Sequence, residues 1–274
     1  MTSESRLVPN VSSAFGALLR RRRTERGLSQ LELSHACRIS TRHLSFLEAG
    51  RARPSREMIL HLADGLFLSF AAQNELLHAG GFAPVYPASP LESAALAPFL
   101  EALRETMRRH SPNPALICDR RWRLIEANAS ALHLFGHLQS GGQETNLIRL
   151  LTDTPEAAEH VANLPDVLAE FSARIRLELL GAGGDKELED LARRLESALK
   201  RHPRPHTSLR SPLTPLILNT PSGKLSLMSL IAHFGTGEDV TVRDLRLELF
   251  FPADDATREA FLAFPSETPS QPTL

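Results

Sequence analysis

The chain has 274 residues, 42% of them hydrophobic, so it is long enough for about two domains with real cores. Its formal net charge is −1. Residues 1–86 carry 11 Lys and Arg against 7 Asp and Glu, and the remainder carries 20 against 25, an asymmetry expected when one domain meets phosphates. Two distant cysteines argue against a disulfide framework and fit a reduced cytoplasm. The polar N-terminus, which has no apolar core, argues against an export signal, and the lack of an apolar run near 18 residues argues against a membrane span.

After a flexible segment, 1–10, the sequence predicts an all-α domain over residues 11–81. Apolar spacing, serine caps and glycine stops place five short helices at 11–27, 29–37, 40–49, 55–66 and 70–78. Ser29 and Glu32 match the S-x-x-E capping box, in which each residue satisfies an unpaired amide of the other.

The second and third helices have the layout of a helix-turn-helix, because a few residues join them and Gly50 and a basic loop follow. In that layout Ser29 and Gln30 can meet a phosphate at the start of one helix. The next helix presents polar side chains outward near its start, and arginines follow it that can grip the DNA backbone. The predicted DNA-binding residues are Ser29, Gln30, Ser40, Thr41, Arg42, His43, Ser45, Phe46, Arg51 and Arg53.

A proline-rich linker, 82–90, precedes a second domain predicted to be α+β over residues 91–265, with a disordered tail at 266–274. A helix is expected at 91–110, and charged helices fill 155–202, broken by glycines at 181–184. Strand-like runs lie at 114–119, 122–127, 215–220, 224–234 and 244–252.

Four residues of this domain are candidates for a ligand pocket. Trp122 begins a predicted strand, and Leu227, Ile231 and His233 share the apolar face of another. His233 could hydrogen-bond a carboxylate ligand, although a satisfied buried histidine is the commoner case, and Trp122 could simply be a packing aromatic.

The sequence predicts no catalytic residue, cofactor or metal. His133 and His137 could share a helix face, but no third ligand follows at a metal-binding spacing. The glycines at 181–184 lack the strand and helix that surround a nucleotide-binding loop. No set of nucleophile, base and acid is evident, so an enzyme is not predicted.

The segment GALLRRRRTERGLSQLELSHACRISTRHLSFLEAGRARPS resembles the Cro/C1-type, or XRE-family, helix-turn-helix. The resemblance implies a phosphate contact and helix support for Gln30, and base contacts for Thr41 and Arg42. Phe46 falls where a base-facing residue often lies, although packing against a neighbour is an equal alternative. Arg23 and Glu48 fall at the positions of a structural ion pair.

Arg38 departs from the family pattern, because it stands where the turn glycine is often found. If this position requires a positive φ, the strain costs about 1 kcal/mol.

PALICDRRWRLIEAN and LRLELFFPADDATRE resemble the MmyB-like transcription regulators, which join this helix-turn-helix to a PAS-like ligand-binding domain. The resemblance implies a five-stranded antiparallel sheet with helices, enclosing an apolar cavity. It also implies a small lipophilic ligand, with fatty acids as the leading candidates. Residues 138–210 match the family pattern least.

The leading hypothesis is a sequence-specific regulator that binds a double-stranded operator as a homodimer and senses a ligand. One alternative is an enzyme with an autoregulatory DNA-binding head, which a titratable cluster in the cavity would favour. Another is a protein-interaction domain. A closed sheet face without a cavity and a large exposed apolar patch would be evidence for it.

Overall fold

The computed structural model of the protein divides into two compact units. The residues it describes are 11–136, 145–204, 214–235 and 237–265. The first unit comprises Met1–Pro87 with Leu177–Asp185, and the second comprises Ala88–Arg176 with Lys186–Leu274. The division after Pro87 lies inside the proline-rich segment 82–90. The predicted flexible ends, 1–10 and 266–274, lie outside the described residues.

Within residues 11–87 the chain forms an all-α region, as predicted. Its helices are α1 (Val11–Glu25), α2 (Gln30–Ala36), α3 (Thr41–Glu48), α4 (Arg56–Gly65) and α5 (Phe70–Ala79). Each helix from α2 to α5 begins after a serine whose hydroxyl accepts a hydrogen bond from a first-turn amide, at Ser29, Ser40, Ser55 and Ser69. A cap of this kind contributes about 1 kcal/mol, so side-chain chemistry sets where these helices begin.

The core of this region joins α1 to α3. Phe15 and Leu19 of α1 and Leu44 and Leu47 of α3 are fully buried in one apolar cluster. Burying each contributes about 1.5–3 kcal/mol. A Cβ at Gly16 would lie 2.5 Å from the carbonyl oxygen of Leu47, so only glycine permits the close approach of α1 to α3.

The second unit contains a five-stranded antiparallel sheet with strand order β2-β1-β5-β4-β3. Its strands are β1 (Ala115–Cys118), β2 (Leu124–Ala127), β3 (Leu216–Thr220), β4 (Gly223–Ala232) and β5 (Arg246–Pro252). Its helices are α6 (Ala97–His110), α7 (Ala129–Phe135), α8 (Leu147–Asp153), α9 (Ala157–His160), α10 (Leu164–Ala182, whose last residues belong to the first unit), α11 (Lys186–Arg201), α12 (Val240–Asp244) and α13 (Asp255–Leu262). The predicted α+β class is confirmed.

The two faces of the sheet have different neighbours. On one face Leu247 of β5 and Ile117 of β1 pack in a core with Leu100 and Leu103 of α6. Side chains alternate along a strand, so the next residue of β5, Glu248, points to the opposite face. That face, together with helices α7, α8 and α10, surrounds the cavity described below.

Several predicted boundaries differ from the structure, of which three follow. Trp122 does not begin a strand, because it lies in the β1–β2 turn with a φ of 64° and β2 starts at Leu124. His233 lies beyond β4, which ends at Ala232. The helix predicted from residue 91 begins at Ala97, with a proline in its first turn, the part of a helix that tolerates proline.

None of the described helices is both long enough and apolar enough to cross a membrane.

Candidate functional site

Serine caps fix the starts of α2 and α3. The Ser29 hydroxyl accepts from the Glu32 amide at 3.2 Å, and the Ser29 amide donates to the Glu32 carboxylate at 2.7 Å, which completes the predicted capping box. That amide lowers the pKa of Glu32 by stabilising the carboxylate. The Ser40 hydroxyl accepts from the His43 amide at 3.1 Å. The two serines predicted to contact DNA therefore lie at helix starts that their own side-chain hydrogen bonds stabilise.

The turn between the two helices contains a left-handed residue. Arg38 has a φ of 50°, the conformation that the family resemblance associates with a glycine. The Arg38 amide donates to the His35 carbonyl at 3.1 Å, and the Ile39 amide donates to the Ser34 carbonyl at 2.9 Å. These bonds hold the turn although a side chain in this conformation costs about 1 kcal/mol.

A buried ion pair joins α1 to α3. The Arg23 guanidinium donates two hydrogen bonds to the Glu48 carboxylate, at 2.7 and 3.0 Å, and a third to the Leu28 carbonyl at 2.6 Å. The Gln30 amide also donates to Glu48, at 2.8 Å. The bond to Glu48 raises the pKa of Arg23. The structure thus brings Arg23 and Glu48 together as the resemblance implies, and Gln30 of α2 supports α3 through Glu48.

The outward face of α3 carries most of the predicted base-contacting side chains. Arg42 is exposed, and its guanidinium lies 5.4 Å from the centre of the Phe46 ring one turn later. Thr41 is half-buried, and its hydroxyl lies 2.9 Å from that of Ser34. The other predicted DNA contacts are exposed at Ser29, Ser40, Arg51 and Arg53, and half-buried at Gln30, His43, Ser45 and Phe46.

The second unit encloses a cavity between its sheet and helices α7, α8 and α10. Its volume of about 110 Å³ exceeds by several-fold the roughly 10–15 Å³ that one water needs. Most of the lining is apolar, with side chains from all these elements including Leu116, Leu124, Phe135, Leu150, Leu218 and Leu227. A cavity lined in this way suits a small apolar ligand.

Polar side chains interrupt this lining where α10 faces β4 and β5. Glu170 and Arg174 of α10, Ser229 of β4 and Glu248 of β5 all line the cavity. Arg174 forms an ion pair with Glu170, and a second guanidinium nitrogen lies 3.9 Å from the Glu248 carboxylate. Burial raises the pKa of Glu248, while Arg174 and a hydrogen bond with Ser229 oppose the shift.

The four predicted pocket residues have different positions in the structure. Leu227 lines the cavity, whereas Ile231 and His233 are not among its lining residues, and His233 is exposed. Trp122 is 4% exposed, and its ring makes an edge-on contact with Phe171 at 4.7 Å. Trp122 therefore does not line the cavity but packs against Phe171, which does.

The sequence missed Glu170, Arg174 and Glu248. In the pattern LRLELFF, Glu248 alternates with leucines and so reads as a solvent-facing residue of a half-exposed strand. It is 5% exposed because β5 is the central strand of the sheet and both its faces are covered. The feature that could have indicated a buried functional residue is the single carboxylate, Glu248, in the middle of the last apolar strand.

Among the described residues, no three His, Cys, Asp or Glu side chains are grouped in a way that could hold a metal ion. Of the two histidines considered for a metal, His137 lies outside the described residues.

The first region has the architecture of a helix-turn-helix DNA-binding domain, and the second has an apolar cavity between its sheet and helices. Family models agree with both. One described as a helix-turn-helix domain matches residues 14–76, and one described as the MmyB-like transcription regulator ligand binding domain matches residues 100–263. The second match covers more than half of the chain, and the protein belongs to the MmyB-like transcription regulators, which confirms the resemblance. No curated protein matches the chain at a significant level.

Proposed function

We propose that the protein is a cytoplasmic, sequence-specific transcription regulator whose PAS-like domain senses a small lipophilic ligand, with fatty acids as the leading candidates. The observation that carries the proposal is the apolar cavity with one polar region, in a chain that also carries a helix-turn-helix. A cavity of this kind is a site for an amphiphile, because apolar walls bury a tail and a few polar groups orient a head.

The DNA-reading half of the proposal assigns roles along α3 and its flanks. Arg42 is exposed near the start of the helix, where its fork can bind the O6 and N7 atoms of guanine. Thr41 contacts a base beside it. Arg51 and Arg53 follow the helix and bind phosphates, which position the protein without reading sequence.

Homodimerisation is part of the proposal. One helix-turn-helix reads only a half-site, and two copies related by a two-fold axis read half-sites about 34 Å apart along the DNA. We therefore expect a pseudo-palindromic operator.

Ligand response requires that the ligand bind the DNA-competent and DNA-incompetent states with different affinities. The test begins with mass spectrometry of the natively purified protein, to identify what the cavity holds. Binding sequences are then selected from a random DNA pool, and affinity for the selected sequence is measured with and without the recovered ligand. Failure to enrich any sequence at moderate salt contradicts the regulator, and an unchanged DNA affinity contradicts the sensor.

One observation favours a second candidate, an enzyme with a DNA-binding head. Glu248, Glu170 and Arg174 form a titratable cluster inside the cavity, and perturbed carboxyl groups in cavities are candidates for acid–base chemistry. The same mass spectrometry separates the two functions. A receptor returns an added ligand unchanged, whereas an enzyme converts it over time.

A further inference from the structure

The polar region of the cavity contains more carboxylates than positive charges. Glu170 and Arg174 form an ion pair on α10, and Glu248 lies opposite them on β5 with 5% of its surface exposed. Arg174 stands between the two carboxylates, with its second nitrogen 3.9 Å from Glu248. When both carboxylates are ionised, the three side chains together carry a charge of −1.

Among the described residues that line the cavity, Arg174 is the only cation, and Arg246, on the same face of β5 as Glu248, is not one of them. From α10 it faces Arg174 and Glu170, and from β4 it meets the hydroxyl of Ser229. From β1 the buried thiol of Cys118 lies near enough for the Glu248 charge to raise the pKa of the thiol. The arginine that Glu248 faces is therefore already shared with another carboxylate.

If an anionic ligand head group bound in this polar region, three negative charges, those of Glu170, Glu248 and the ligand, would surround the single guanidinium of Arg174. An uncompensated charge in an apolar cavity is costly, and proteins commonly avoid it by binding a proton. A head group that brings a hydrogen, such as a hydroxyl, meets no such cost. It can donate to Glu248 and accept from Ser229 or Arg174.

We propose that the cavity selects amphiphiles whose head group carries a proton, with Glu248 as the selecting residue, so that an alcohol binds directly, a fatty acid binds together with one proton, and a permanently anionic head group is disfavoured. This inference rests on the proposed lipophilic ligand and adds the chemistry of its head. It makes Glu248 a specificity-determining residue of the cavity.

Proton uptake on binding predicts the direction in which the affinity for a fatty acid changes with pH. In the complex with a fatty acid, the ligand carboxyl and Glu248 share one proton. Burial already raises the pKa of Glu248 in the empty cavity, which favours keeping that proton. Above that pKa the proton must come from solvent, so the affinity for a fatty acid falls as pH rises, by close to tenfold per pH unit.

Three probes with the same eight-carbon tail test the head group alone. Octanoic acid, 1-octanol and octane-1-sulfonate are titrated into the full-length protein by calorimetry from about pH 6 to about pH 8, below their micelle concentrations. We expect the Kd of octanoic acid to rise by up to about tenfold per pH unit and that of octanol to change by less than about twofold. We expect octane-1-sulfonate to bind at least about tenfold more weakly than octanol.

The variant Glu248→Gln keeps the size of the side chain and removes its charge. We expect octanoic acid to lose most of its pH dependence in this variant, and octane-1-sulfonate to gain affinity. The matched control is Glu126→Gln, which removes a carboxylate that pairs with Arg104 in the same domain and does not line the cavity. It should keep the pH dependence of the unmodified protein.

The outcomes separate this inference from the proposed function. Equal binding of octanol and octane-1-sulfonate throughout the pH range overturns the head-group selection and leaves the lipophile sensor standing. If none of the three binds and no lipid co-purifies, the lipophilic ligand itself is wrong. The pH series on the unmodified protein needs no variant, so poor folding of Glu248→Gln leaves the test intact.

Discussion

Each of the two domains buries a glutamate, and the two are satisfied very differently. Glu48 of α3 has a side chain 3% exposed and receives three hydrogen bonds, two from Arg23 and one from Gln30. Glu248 of β5 has a side chain 7% exposed, and its guanidinium neighbour stands 3.9 Å away and is paired elsewhere. Burial raises the pKa of Glu248, whereas Glu48 is fixed in a bidentate pair.

The difference separates a structural charge from a recognition charge. A carboxylate whose acceptor sites are filled by the protein holds two helices in one arrangement and has little left to offer a ligand. A buried carboxylate with weak partners destabilises the empty protein and gains most when something binds beside it. The first domain thus uses its buried charge for rigidity, and the second uses it for selection.

The largest effect is expected from Glu48→Gln. The substitution leaves Arg23 buried without a counter-charge, and removing one partner of a buried pair costs about 3–5 kcal/mol. Chemical denaturation should show a loss of this order in the unfolding transition of the DNA-binding domain. The control Glu57→Gln removes an exposed carboxylate from the first turn of α4 and should cost less than about 1 kcal/mol. Equal losses in the two variants would mean that Glu48 is an ordinary surface charge.

Next in size is the effect of Arg42→Ala on DNA binding. Loss of a bidentate base contact should weaken binding to the selected operator by about 1–3 kcal/mol, with little change in thermal stability because Arg42 is exposed. Arg109→Ala, which removes an arginine that is also exposed from the second domain, is the control for net charge. A uniform loss of affinity for all sequences would assign Arg42 to a phosphate instead.

A pH-dependent effect is expected from Glu248→Gln on stability. Because burial raises the pKa of Glu248 above its unfolded value of about 4.3, the folded state binds the proton more tightly. The unmodified domain therefore loses stability as pH rises from that value through the folded pKa, and glutamine does not. Urea denaturation between about pH 4 and pH 8 should show the variant gaining relative stability as pH rises. A gain that shrinks with pH would mean that Arg174 stabilises the ionised form of Glu248.

The smallest effect is expected from Arg38→Gly. Glycine adopts a φ of 50° without the strain of a side chain, although its greater freedom in the unfolded chain offsets part of the gain. Denaturation should show an increase of up to about 1 kcal/mol. Arg53→Gly, at a position without a positive φ, should show no such increase. If both variants are destabilised alike, the turn carries no strain.

The helices of the first domain could be predicted from its sequence because their start and stop signals are local. Serine caps and glycine stops act within four residues, so the starts of α2 and α3 and the capping box of Ser29 with Glu32 follow from spacing alone. The positive φ of Arg38 agrees with the turn position that the family resemblance singled out.

The second domain was readable only in part, because its cavity depends on tertiary arrangement. All five strands were located, but the place of β5 at the centre of the sheet depends on pairings between distant segments. Only that placement buries Glu248 and brings Arg174 of α10 beside it. Alternation along β4 put Leu227, Ile231 and His233 on one face, but of these only Leu227 lines the cavity, and His233 lies beyond the end of the strand.

The division of labour along α3 has a consequence for how its specificity can change. Leu44 and Leu47 face the core, Glu48 is tied to α1, and Ser40 starts the helix, so none of these four positions can drift freely. Arg42 is exposed and its ring contact is to Phe46 on the same outer face. If Arg42 reads bases as proposed, we expect exchanges at this outer pair to alter the preferred operator while the scaffold keeps its fold, so the recognised sequence can change before stability limits it.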